Sequence, residues 1–335
     1  MRHYLILTLK TLLISSILSS CGGKKEKTVG LLLPSQNVAR YIAESNFMKE
    51  RAEQLGVKVI IEFAENNDAN QIRQAKELID KVDGLCIIPV NGNTAAEIVR
   101  DYKSKGLPVI AYNRLIQNSR PDYYVSGDNV KLAELMVNTA LKHKPNGNYF
   151  LLGGDKFDLN GLQLQQNIDS LLKPHETSGA IHVIFRSFTE DWSSELAAYN
   201  LKKAIHLSGI KPDAIIAAYD GMAEAAINVL KEIYGEVGDV VITGQDAELR
   251  AIKHIMAGEQ TMTAYHSAKD NAYACAEAIV ALMNGKKASS KNITHTFNGE
   301  IDVPTIKIPS LLVTKENVEE VIIKNKVYTR EEIYN

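Results

Sequence analysis

From Lys27 onward, short apolar runs alternate with segments whose apolar residues recur at helical spacing. The run TVGLLLP (28–34) precedes a helical pattern through MKERAEQLG (48–56). Then come VKVIIEF (57–63), the helical NQIRQAKELIDK (70–81), DGLCIIPV (83–90), a helix near 94–105 and PVIAYN (108–113). Strands that are apolar throughout belong to parallel sheets covered by helices on both faces, so this stretch predicts one α/β lobe. A second series opens with a helix over 130–143. It continues through GNYFLLGG (147–154), AIHVIFRS (180–187), DAIIAAYD (213–220), DVVITGQD (239–246) and QTMTAYH (260–266), with helical segments between. The chain predicts the same kind of lobe twice.

The apolar runs end in polar or aromatic residues: Pro34 to Gln36, Asn113 with Arg114, Asp155 to Asn160, Tyr219 with Asp220, Gln245 with Asp246, and His266. In an open parallel sheet the ligand crevice lies beyond the carboxyl ends of the strands. Residues of both lobes are therefore expected to face one cleft.

At 335 residues the chain is long enough for two cores, and its 45% hydrophobic and 23% charged residues are ordinary for a globular protein. Lys and Arg number 38 against 40 Asp and Glu, with no long run of one sign. A nucleic-acid partner has no electrostatic support. Near the N-terminus, Arg2 and Lys10 precede the apolar stretch 12–18, which is too short to span a bilayer and reads as a signal peptide over 1–20. It ends in Leu18-Ser19-Ser20-Cys21, which resembles a bacterial lipobox and makes Cys21 the expected acylation site. Residues 21–28 form a polar, glycine-led stalk. An extracytoplasmic protein held at a membrane by lipid is expected. Cys86 and Cys275 lie in apolar patterns and read as small buried hydrophobes, with a disulfide possible in an oxidising compartment.

Local motifs for dinucleotide, nucleoside triphosphate, zinc-protease or serine-hydrolase chemistry are missing from the sequence. The segment KFDLNG (156–161) ends like a calcium loop, but Lys156 stands at its first ligand position and Asn167 at its twelfth, where an Asp and a Glu are needed. No cofactor, no metal and no catalysis are expected. A carboxylate pair such as Asp158 and Asp246 is the sequence's one route to a glycosidase reading. Carbohydrate binding fits better. Carboxylates, amides and guanidinium groups match a sugar's hydroxyl edge, and an aromatic ring such as Trp192, in the loop TEDWSSE, matches its C–H face.

With these residues assembled, the sequence resembles the type I periplasmic sugar-binding proteins, and among them the D-xylose binders. The match is densest in ITGQDAELRAIKHIMAGEQTMTAY (242–265). It is supported by VIAYNRLI (109–116), YYVSGDN (123–129), GNYFLLGG followed by DLNG (158–161), and VPTIKIPSLLVTKENVEEVIIKN (303–325). The resemblance implies two α/β lobes joined by three crossing segments, one made of 29–127 and 268–303 and the other of 128–267 and 304–335. It also implies a monosaccharide, a xylose-like pentose or related aldose, delivered to the permease of an ABC transporter. A sensor presenting its sugar to a membrane histidine kinase would use the same cleft. By the resemblance Tyr41, preceded by Arg40, would sandwich the sugar with Trp192. Arg114, Asp158, Asn160 and Asp246 match polar ligand positions. Asn113, Tyr219 and His266 stand where the family has Asp, Asn and Lys, each exchanging a hydrogen-bond partner at the sugar edge.

Overall fold

A computed structural model describes residues 26–290 and 293–335. The first half builds β1 (Lys27–Leu33), α1 (Ala39–Gln54), β2 (Val57–Phe63), α2 (Asp68–Leu78), β3 (Gly84–Ile87), α3 (Ala96–Ser104), β4 (Val109–Tyr112) and β5 (Tyr123–Gly127). The chain then builds α4 (Asn129–His143), β6 (Gly147–Leu152), α5 (Leu159–Thr177), β7 (Ile181–Ser187), α6 (Ser194–Ser208), β8 (Ala214–Ala217), α7 (Asp220–Tyr234), β9 (Val241–Thr243), α8 (Leu249–Ala257) and β10 (Thr263–His266). It returns through α9 (Ala268–Met283), β11 (Ile293–Phe297), β12 (Asp302–Ile308), β13 (Ser310–Val313) and α10 (Arg330–Tyr334).

Seven strands form the first sheet in the order β11-β12-β5-β4-β3-β1-β2, parallel except for the β11–β12 hairpin at one edge. Four parallel strands form the second in the order β7-β6-β8-β9. The central strands β3, β4 and β8 are buried throughout. The edge strands β2 and β7 carry the polar residues that a half-covered position tolerates. On one face of the first sheet Val29, Leu31, Cys86, Tyr112 and Val125 meet α1 and α9. On the other, Leu32, Leu85, Ile87 and Tyr124 meet α2 and α3. Each such aliphatic side chain contributes about 1.5–3 kcal/mol on burial. Cys86 and Cys275 are free thiols buried in the first of these layers.

Two expectations are corrected. The run QTMTAYH does not extend the second sheet. It touches the end of that sheet through Thr261 N–H to the Ile242 carbonyl (2.9 Å) and a parallel bridge between Gln245 and Ala264, and β10 itself pairs antiparallel with β13. The third crossing also comes later than 303/304. Asp302–Ile308 continues as a strand, with Thr305 to Ile308 paired parallel to Tyr124–Gly127, so the chain changes sheet between Ile308 and Ser310. The apolar alternation of VPTIKI buries Val303, Ile306 and Ile308 in the first lobe, which keeps the strand there.

The crossings are tied to one another. Asp128 caps α4, accepting from the backbone N–H groups of Val130 (3.1 Å) and Lys131 (3.3 Å), and it also pairs with Lys307 Nζ (3.2 Å) of the third crossing. His266 of the second crossing hydrogen-bonds through Nδ1 to Ser310 Oγ of the third (3.1 Å). Its ring fills the space beside Gly127 of the first, where a Cβ would lie 2.8 Å from Nδ1.

Candidate functional site

Asp158 serves two groups. As the N-cap of α5 it accepts from Asn160 N (2.9 Å), and its other oxygen lies 3.2 Å from Arg114 Nε, which follows β4 in the opposite lobe. Asn160, in the first turn of the same helix, donates through Nδ2 to the Asn113 carbonyl (2.9 Å). Its oxygen accepts from Tyr124 OH (3.2 Å) and Asn129 Nδ2 (3.0 Å). Asn113 has a left-handed backbone, φ 61°, and the carbonyl it turns toward the cleft is what binds Asn160.

A second bridge runs from α1. Arg40 Nη1 lies 3.1 Å from Asp246 Oδ1 across the cleft, and its Nε donates to Glu44 Oε1 at 2.9 Å. Burial acts to lower the Arg40 pKa, but Glu44 and Asp246 outweigh it and raise the value, so the guanidinium stays charged. Burial pushes the Glu44 carboxyl up, and Arg40 opposes that shift. Tyr41, the next residue on α1, is 9% exposed and sits in the field of Arg114, Arg40, Glu44 and Asp158.

Trp192 and Tyr219 lie together, ring centroids 6.1 Å apart and planes at 79°. Tyr219 OH is 2.6 Å from Ser194 Oγ, which fixes the phenol behind the indole. Trp192 has φ 56° and lies directly over Gly154, where a Cβ would drive into the six-membered ring. Its Nε1 is buried with no hydrogen-bond partner in the described residues.

Of the ten predicted positions, Arg40 and Asp246, Arg114 and Asp158, and Asn113 and Asn160 meet between the lobes, Tyr41 lies in the field of these charges, and Trp192 and Tyr219 lie together beside Gly154. Cys21 lies outside the described residues. His266 sits in the hinge. Burial lowers its pKa to about 4, assisted by Arg40 and opposed by Asp246 and Asp128. Sequence reasoning passed over Glu44, which orients Arg40, and over Tyr124 and Asn129, which hold Asn160. For Glu44 a signal existed: the Arg40–Glu44 spacing of four residues on a helix. The described residues contain no cluster of His, Cys, Asp and Glu able to hold a metal ion.

Residues 29–287 match the model of the periplasmic binding protein domain. The D-xylose-binding periplasmic protein of Haemophilus influenzae is 35% identical over 321 residues, covering 96% of each chain. The protein of the same name from Escherichia coli is 34% identical over 331 residues, covering 98% of each. An ABC transporter solute-binding protein from Clostridium phytofermentans, solved with bound β-D-glucose, has the same fold. Its TM-score is 0.84 at 24% identity, with 92% of this chain and all of that one covered. All three are named as binding proteins. Two α/β lobes facing each other across paired charges, together with a family match over most of the length, make the chain a member of the periplasmic binding protein family, in its two-lobed type I form.

Proposed function

We propose that this extracytoplasmic protein captures a monosaccharide, a xylose-like pentose or related aldose, between its lobes and hands it to the permease of an ABC transporter, tethered meanwhile by lipid on Cys21. The observation that carries the reading is the pairing of Arg40 with Asp246 and of Arg114 with Asp158 across the cleft. Each pair offers a row of donors beside a row of acceptors, the pattern a sugar's hydroxyl edge meets, while Trp192 supplies a surface for its C–H face. The charges on this surface are Arg40 and Arg114 against Glu44, Asp158 and Asp246, so a neutral ligand leaves every ion with a partner. An anionic ligand would add to an existing excess of negative charge. The relatives named for D-xylose support the pentose.

A ligand that binds only the folded state raises the unfolding midpoint by mass action. Thermal-shift measurements against neutral pentoses, hexoses and polyols, with sugar acids and sugar phosphates alongside, should give a rise with at least one neutral aldose and none with the anions. No rise with any sugar would remove the reading. In cell fractions, Cys21→Ser should move from membrane to soluble; unchanged membrane association would remove the lipid tether alone.

A further inference from the structure

Asp246 reaches the cleft from an unfavourable backbone. It has φ 93° and Ala247 has φ 52°, both in the left-handed region that non-glycine residues rarely adopt. Such conformations persist only where the surroundings over-determine them. Here three consecutive backbone N–H groups are each held: Asp246 N donates to Ala264 O (2.9 Å), Ala247 N to Thr263 Oγ1 (3.2 Å) and Glu248 N to Asp220 Oδ2 (2.9 Å).

Asp220 is where these ties converge. It opens α7 and is 1% exposed. Oδ2 also accepts from Thr263 Oγ1 at 2.9 Å, and Oδ1 accepts from Gln260 Nε2 at 3.0 Å. Its own N–H donates to the carbonyl of Gln245 (2.9 Å), so the residue grips the 245–248 turn at both ends. Three donors facing one buried side chain form a socket for a carboxylate, which only accepts. An amide of the same shape would turn an N–H₂ toward one of those donors. Asp220 makes no hydrogen bond or ion pair with Arg40; its place in the first turn of α7 suits an acid, but the three donors that close on it come from the 245–248 turn and from Gln260 and Thr263.

We propose that Asp220 is a positioning residue for ligand binding: with Thr263 it holds the 245–248 turn in its left-handed form, so that Asp246 is already aimed across the cleft before a ligand arrives. The proposal rests on the reading that Asp246 meets the ligand, and its test separates the two.

In the ligand-free protein, amide hydrogen exchange at 246–248 should accelerate tenfold or more in Asp220→Asn and in Thr263→Val, with the central strands of the second lobe keeping their protection. Calorimetry with D-xylose and with D-glucose should show about tenfold weaker binding in either variant. That loss should vanish when Asp246→Ala is already present, yet persist in full beside Trp192→Ala, because only the first pair acts through one group. Unchanged exchange at 246–248, acceleration spread evenly over the lobe, or the same loss in both backgrounds would overturn the proposal. If Asp246→Ala alone leaves sugar affinity intact, it is the reading of Asp246 as a ligand contact that fails. Should Asp220→Asn fail to fold, Thr263→Val carries the same measurements.

Discussion

Trp192 depends on a glycine 38 positions earlier in the chain. Its ring can pack this close to residue 154 only because no Cβ stands there, and the Tyr219 ring packs edge-on against it. An aromatic contact to a sugar is worth about 0.5–1.5 kcal/mol beyond the area it buries. Trp192→Ala should therefore weaken sugar binding about tenfold or more once the lost area is added. Gly154→Ala, which removes no ligand-facing side chain, should weaken it comparably by displacing the indole. Wild-type affinity by calorimetry in both variants would make Trp192 a bystander. The same neighbourhood shows what residue type leaves open when orientation is unknown. Asn113, Tyr219 and His266 all read from the sequence as edge contacts to a ligand. In the structure the Asn113 carbonyl holds Asn160, the Tyr219 ring packs against Trp192 with its hydroxyl on Ser194, and His266 packs in the hinge. A sequence gives the group; only the backbone gives its direction.

At the scale of elements, the alternation of apolar runs and helical patterns made most of the fold legible, because continuously buried strands such as β3, β4 and β8 leave little freedom in how a run can be used. What it could not convey was partnership. The strands β10 and β12 carry the same apolar character as their neighbours, and which sheet each joins is decided by pairing with β13 and β5 rather than by composition. Arg114, Asp158 and Asp246 were legible because they follow strand ends, whereas Glu44 supports Arg40 from inside α1 and looks like any helical acid; Asp220 also follows a strand end, but its burial beneath the 245–248 turn is not written in the sequence. The crossing elements also carry a pH response. His266 is neutral in the folded protein, with a pKa lowered to about 4 from 6.5, so the unfolded chain binds more protons between those values. Stability from this residue is complete above pH 6.5 and falls as the pH drops through 4, by up to about 3 kcal/mol. Carboxylates titrate in part of the same window, so the difference between wild type and His266→Gln is the quantity to measure. The unfolding midpoint of wild type should fall more steeply than that of the variant from pH 7 to pH 4.5. Parallel curves would deny His266 that role.

For the whole molecule the question is what holds the lobes together. Arg40–Asp246 and Arg114–Asp158 span the cleft directly, with side chains 14–29% exposed. Both pairs are mostly buried, so the cost of taking the charges out of water offsets much of their attraction and leaves little net gain, whereas a micromolar ligand supplies about 8 kcal/mol. The pairs can orient closure but cannot enforce it, so closure should be secured by a ligand that contacts both sides. Small-angle scattering should show a smaller radius of gyration at saturating sugar than without it, and superimposable curves would remove the closing mechanism.

The order of the strands also sets a timetable. The first sheet draws β1 to β5 from the chain's beginning but β12 and β11 from residues beyond 290, and α9, which packs on α1, is made only after the whole of 128–267. The second sheet, by contrast, is built from one uninterrupted stretch between β6 and β9. As the polypeptide emerges from a translocation pore, the middle of the chain can therefore condense first, while the earlier residues wait with one sheet edge and one helix face uncovered. Completion of the first lobe then waits for α9, β11 and β12, which are delivered only after the second sheet, so the first half of the chain stays incomplete until most of the chain has emerged.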